Sequence, residues 1–276
     1  MTSHRRAIGD NGLNLRKFFF LYLVLSLTCK ASSFGPAHAP RANETKAVER
    51  STVKGTRLRA LFVTGGLWHK YKKLAPYLTN KLALRDNVGF QTVFGLDVWK
   101  NRNFADGFDV VVYDLCFDDV DDALLDNALA AGRAGKPTIF IHCAVHSFRN
   151  SKKVHEWEDY IGLRSKFHDK FGPFETTRMD ASSPILQGFP DLWKTRGDEL
   201  YQTIEVVPDS HPLLRATSPK DGRTHIVAWT HTYGSARVFA TTLGHDKTTA
   251  HSPEYQQLLA NALLWVCGGE PDKRVQ

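Results

Sequence analysis

A chain of 276 residues, 42% hydrophobic and 24% charged, has an ordinary globular composition and is long enough for one or two domains with a sizeable core. Its formal net charge of +7 suggests nucleic acid, but residues 1–50 hold eight Lys/Arg against three Asp/Glu, which leaves 28 against 26 in the remainder. No basic stripe with interleaved aromatics stands out there, so no nucleic-acid partner is expected.

Arg5, Arg6, Arg16 and Lys17 precede an apolar run of twelve residues, 18–29. A basic n-region followed by a short apolar core is the pattern of a secretory signal peptide, and a membrane-spanning helix needs about 20 residues. The sequence predicts export with cleavage after Ala31, and membrane contact only through this segment. Cys29 follows Leu25-Ser26-Leu27-Thr28, a poor match to a lipoprotein signal. Residues 32–56, rich in Ala, Ser, Pro and charge, read as a disordered linker, with a glycosylation pattern at Asn43-Glu44-Thr45. The folded domain is expected over 57–270, with 271–276 as a tail.

Residues 58–64 read as the first strand, closed by Gly65 and Gly66, and Tyr71, Leu74, Tyr77, Leu78 and Leu82 then mark one face of a helix. Strands follow at 90–94 and 110–113, then a helix over 118–134 with acidic residues in its first turn. After Gly135-Lys136-Pro137 comes the buried strand 138–141, which runs into His142, Cys143 and His146. A short helix at 154–161 carries Trp157, and 162–196 reads as one long irregular stretch. Strands are expected at 199–207 and 226–232, with 237–242 pairing back through the Gly234 turn. Ser252-Pro253-Glu254 caps a final helix closed by Gly268-Gly269. Strands alternating with helices predict an α/β fold with a mainly parallel sheet and helices on both faces, whose ligands sit beyond the strands' carboxyl ends.

Ten of the twelve histidines lie between 69 and 251. His69, His142, His146, His231 and His245 follow or end predicted strands, whereas His155, His211, His225 and His251 sit in polar runs and read as surface residues. Histidine is the natural proton shuttle and metal ligand near neutral pH. His69, His142, His231 and His245 are therefore candidates for acid–base catalysis, with Glu199 as a carboxylate and Trp157 or Trp229 as a platform for a sugar face. Trp229 and His231 alternate on one strand and so point the same way. His142 and His146, with His168 or His245, are the candidate ligands of a divalent metal such as zinc. A cofactor is not otherwise specified. Histidines at a solvent-filled cleft are expected to cost ligand binding when replaced, with little loss of stability.

Cys116, Cys143 and Cys267 form no close pair, and their odd count predicts no disulfide framework. Cys116 and Cys267, in apolar runs, read as packing residues. Cys143 follows a central strand, which raises a cysteine hydrolase, but its neighbours His142 and Ala144 lack the glycines of a nucleophile elbow.

An ordered set of motifs carries a resemblance. Gly65-Gly66-Leu67-Trp68-His69, Trp157 with Ile161-Gly162 and His168, Asp198-Glu199-Leu200-Tyr201, the run from Val227 through Trp229 and His231 to Gly234, Arg237-Val238-Phe239, Thr242-Leu243-Gly244-His245 and Leu264-Trp265-Val266-Cys267-Gly268 follow one another as in the trehalose-utilisation (ThuA-like) family. The chain resembles that family over about residues 57–270. It departs from the pattern at Lys70, where an acidic residue commonly follows the first histidine. The resemblance implies a flavodoxin-like three-layer fold, related to the class I glutamine amidotransferases, and a link to sugar metabolism. It also brings Gly65, Gly66, His168 and Tyr201 in as substrate-binding candidates. The expected partner is a small carbohydrate, either processed at the histidine-rich cleft or held there by a non-catalytic binding module.

Overall fold

In the computed structural model, residues 57–270 are described, so the expected signal segment, the linker with Asn43 and the tail lie outside the described residues. Strand β1 (Leu58–Gly66) buries six of its nine residues, and β3 (Val110–Cys116) and β4 (Thr138–Ile141) are buried at every position. Such continuous apolar runs are covered on both faces, which is why they form the middle of a parallel sheet. β2 (Val88–Phe94), β1, β3, β4 and β11 (Ala236–Thr241) are parallel neighbours in that order. β10 (Thr224–Tyr233), β9 (His211–Thr217), β6 (Glu175–Arg178) and β7 (Leu192–Lys194) extend the sheet antiparallel.

The alternation of side chains divides the core. Phe62, Val112, Ile139, Ile141 and Phe239 face α1 (Tyr71–Arg85) and α5 (Pro253–Val266), which contribute Leu78, Leu82, Leu258 and Leu263. The one-turn α4 (Lys247–Ala250) leads into α5. Leu61, Val63, Tyr113, Phe140 and Val238 face the opposite way, towards α2 (Asp122–Arg133) and α3 (Val154–Ile161), with Leu125, Leu129, Trp157 and Tyr160. Each large side chain fully buried here contributes about 1.5–3 kcal/mol of transfer free energy. α2 begins later than the expected 118 because the Asp121 side chain accepts from the Ala123 and Leu124 amides and caps the helix. Ser252 caps α5 in the same way through the Tyr255 amide. Among the described residues, no helix is long and apolar enough to cross a membrane.

The stretch 162–196, expected to be irregular, instead contributes β5 (Leu163–His168), β6 and β7. β6 and β7, with four and three residues, carry no apolar run and lie at the sheet's edge, so periodicity misses them. β5 pairs with β8 (Tyr201–Val206) in a separate two-stranded sheet whose register sets His168 opposite Tyr201. That small sheet delivers His168, Glu199 and Tyr201 to the carboxyl ends of the parallel strands.

Candidate functional site

Parallel pairing puts the ends of β1, β3, β4 and β11 on one edge of the sheet, and the loop after each brings in a polar group. β1 leads through Gly65 and Gly66 to His69; β3 ends on Cys116; β4 leads into His142; β11 leads through Thr242 to His245. The rings of His69, His142 and His245 meet there, with centroids 4.8 Å apart for His69–His142 and His69–His245 and 5.3 Å for His142–His245. Glu199 sits among them. Its carboxylate is 3.2 Å from His245 Nδ1, 3.6 Å from His142 Nε2 and 3.7 Å from His168 Nδ1. The Tyr201 hydroxyl lies 3.3 Å from His142 Nε2. His69, His168, His245, Glu199 and Tyr201, with Trp68, Arg149 and Lys166, line a cleft of about 330 Å³, and His142 lies buried behind them. A second cavity of about 400 Å³ opens on the other side of Trp68, His69 and His245.

His142 is the hinge of the arrangement. It takes φ 49°, a left-handed conformation rare outside glycine, at the strand-to-turn junction where α/β hydrolases place a strained nucleophile. Its Nδ1 is 2.6 Å from the Thr242 carbonyl, so that nitrogen carries the hydrogen and Nε2 is turned to the cleft. Burial alone would depress its pKa. The Glu199 side chain, the Asp198 carboxylate and the Thr242 carbonyl outweigh burial and raise it above the ordinary histidine value. Glu199 is driven the other way: burial would raise it, yet His142 and His245 hold its carboxyl well below the usual range. His69 drops to about 3, through burial first and then repulsion from His142 and His245, so it stays a neutral imidazole.

Behind these groups lies Asp198, wholly buried. Its carboxylate accepts from the amides of Glu199 (2.8 Å), Gly244 (2.8 Å) and His245 (3.2 Å) and from the Thr249 hydroxyl (2.6 Å), and it approaches His142 Nδ1 to 3.9 Å. One carboxylate thus ties the segments that carry Glu199, His245 and His142.

Other candidates fall elsewhere. His231 ends up at the far edge of the sheet. β10 runs antiparallel, and His231 pairs with Val238, itself opposite Thr138 at the start of β4. The length of β4 therefore separates it from His142, roughly 13 Å along the strand; its Nδ1 meets the Ser210 hydroxyl instead. Trp157 and Trp229 are fully buried, with indole N–H groups donated to the Ala144 and Ile161 carbonyls, so neither offers a face to a sugar. Gly65 and Gly66 line neither cavity but permit close packing, since a Cβ on Gly66 would lie 1.9 Å from the Cys116 carbonyl oxygen. His146 lines the cleft but is buried. It stacks on Tyr201 at 3.8 Å and bonds the Ser165 hydroxyl, and burial, with His142 and Arg149 nearby, lowers it to about 3. His225 is buried rather than on the surface, accepting from the Thr203 amide.

For a metal ion, two groups of ligand atoms among the described residues come within 4.8 Å of one another: His69, His142 and His245, and His69, Cys116 and Cys143. Neither includes His146 or His168. The cysteines also correct the expectation of no disulfide. Cys116 and Cys143 are bonded, with Cα atoms 5.2 Å apart on neighbouring strand ends. Cys143 in this state has no thiolate to serve as a nucleophile. Sequence order hides this pair because 27 residues separate its members and only the parallel register brings them together.

The cleft has its own aromatic in Trp68, which is 60% exposed where Trp157 and Trp229 are 0%. Phe171, also exposed, stands 5.0 Å from the His245 ring. The signal for Trp68 was its place in a loop between Gly65-Gly66 and His69, outside any apolar period.

The large, mainly parallel sheet with helices on both faces is a flavodoxin-like fold of the kind seen in class I glutamine amidotransferases. The profile described as trehalose utilisation (ThuA) matches residues 59–266, and the chain belongs to that family. Solved structures agree on the fold. A ThuA-like protein from Parabacteroides merdae ATCC 43184 is 20% identical with a TM-score of 0.67, covering 80% of this chain and 93% of its own. One from Bacteroides uniformis ATCC 8492 is 17% identical with a TM-score of 0.66, covering 80% and 98%. A GMP synthase protein from Thermoplasma acidophilum is 16% identical at 0.50, covering 78% and 96%. No curated protein matches the chain.

Proposed function

We propose that this chain is an exported ThuA-family protein that carries out acid–base chemistry on a small carbohydrate in the His69–His142–His245–Glu199 cleft. The observation that carries this reading is Glu199, a carboxylate within 3.7 Å of nitrogens from three histidines. Held ionised against His142 and His245, it is placed to take a proton from a sugar hydroxyl or from a carbon beside a carbonyl. The Tyr201 hydroxyl, 3.3 Å from His142 Nε2, is placed to return one. Trp68 supplies the exposed ring that a sugar face stacks on, and the description trehalose utilisation supports a carbohydrate as the substrate class. The basic and apolar N-terminal segment supports export.

The donor set fits a divalent cation such as zinc. His69 is neutral, and His142 presents Nε2 while the Thr242 carbonyl fixes its other nitrogen, as metal-bound histidines are commonly oriented. A bound cation would polarise a carbonyl or hydroxyl oxygen. Around it, His69, His142 and His245 would hold and orient, and Glu199 would move the proton. The untagged chain, dialysed against zinc under non-reducing conditions, is expected to retain one equivalent and to melt at higher temperature with particular mono- or disaccharides. A chain that retains no metal and responds to no sugar would remove this reading.

A further inference from the structure

We propose that the Cys116–Cys143 disulfide is a reducible floor of the cleft, and that on reduction its two sulfurs and His69 form a second site, for a soft divalent cation. The geometry is specific to these three residues. A ring nitrogen of His69 and both Sγ atoms lie within 4.8 Å of one another. Zinc binds sulfur at about 2.3 Å and imidazole at about 2.0–2.1 Å in tetrahedral sites. Once the bridge opens, the sulfurs must separate to roughly 3.8 Å, a side-chain rotation, while His69 closes to about 3.5 Å from each. His69 sits in the loop between β1 and α1, beside the exposed Leu67 and Trp68, and not within a regular element.

The bridge can be reached from one side only. Cys143 lines the cleft, whereas Cys116 is fully buried at the end of β3. A dithiol reductant therefore attacks Sγ of Cys143, forming a mixed disulfide and expelling the Cys116 thiolate. The reductant's second thiol then displaces Cys143 and closes into a cyclic disulfide. Two electrons enter the protein, and the two protons of the dithiol go to the cysteine sulfurs, or to solvent where a cation takes their place. Because His69 belongs to both ligand sets, filling the sulfur site withdraws it from His142 and His245. This last consequence rests on the proposed reading of the cleft; the sulfur site does not.

Cobalt(II) titration of the full chain, before and after treatment with a dithiol, tests the proposal. The reduced chain is expected to show a near-ultraviolet thiolate-to-cobalt charge-transfer band at one equivalent, and the oxidised chain none. Cys143→Ser should abolish most of that band, and His69→Ala should weaken cobalt binding to the reduced chain at least about tenfold. A reduced chain that stays folded by circular dichroism but shows no band would overturn the proposal. So would loss of the fold on reduction, which makes the bridge a structural staple, or a band indifferent to His69→Ala. Cobalt bound by the oxidised chain without a charge-transfer band reports the three-histidine set separately, so failure of one site is distinguishable from failure of the other.

Discussion

Asp198→Ala is expected to destabilise the chain by about 3–5 kcal/mol, the range for breaking a buried charged network by deleting one partner. The carboxylate is fully buried and accepts four hydrogen bonds, from the Glu199, Gly244 and His245 amides and from Thr249 Oγ1. Its loss strands these donors, and each buried group left unpaired costs about 1–3 kcal/mol. His142 Nδ1 also loses the nearby negative charge. Denaturant unfolding followed by tryptophan fluorescence reads the difference, because buried Trp157 and Trp229 report the core. Asp198→Asn, which keeps an acceptor oxygen, should lose less. A loss below about 1 kcal/mol for the alanine variant would show that these contacts are incidental to stability, and would put the site's assembly in doubt.

Glu199→Gln is expected to lower turnover by about 10²–10⁴-fold, the usual contribution of a positioned proton-transfer group, at little cost in stability. The side chain is partly exposed to the cleft, and glutamine preserves its shape while removing the charge that His142 and His245 share. The histidine variants divide where the sequence alone expects both to be nearly neutral to stability. His142 is 2% exposed and bonded to the Thr242 carbonyl, so His142→Ala should cost stability as well as activity. His245 keeps 25% exposure, and His245→Ala should mainly cost activity. Turnover within about threefold of wild type for Glu199→Gln, in a folded protein, would remove the carboxylate from the chemistry.

Much of this site was legible before the fold. His69 and His142 each follow a strand that reads as buried and parallel, and such strands put their ends on one edge; His245 follows a strand that reads only as a hairpin partner, and the fold pairs it parallel to β4 as well. His231 misled because strand-end logic assumes a parallel strand. β10 is antiparallel, and nothing in its own residues states its direction. Trp157 and Trp229 misled because a large aromatic at a regular position of a helix or strand belongs to the core far more readily than to a cleft. Asp198 was visible beside Glu199 but unassigned, since its value comes from amides 46 and 47 residues away. The disulfide was hidden for the same reason, as a contact made only by register. β6 and β7 went unseen because strands of three or four residues are too short to leave a period to read.

The most direct test of the carbohydrate reading is isothermal titration of the zinc-loaded, non-reduced chain with a panel of mono- and disaccharides that includes trehalose. Trp68→Ala is run beside wild type, and His211→Ala, on the exposed β9 surface, serves as the control. At least one sugar should bind wild type and His211→Ala equally, and Trp68→Ala at least about tenfold more weakly, or 1.4 kcal/mol. No binding by any sugar at millimolar concentration, or equal binding by all three proteins, would contradict a carbohydrate site in this cleft.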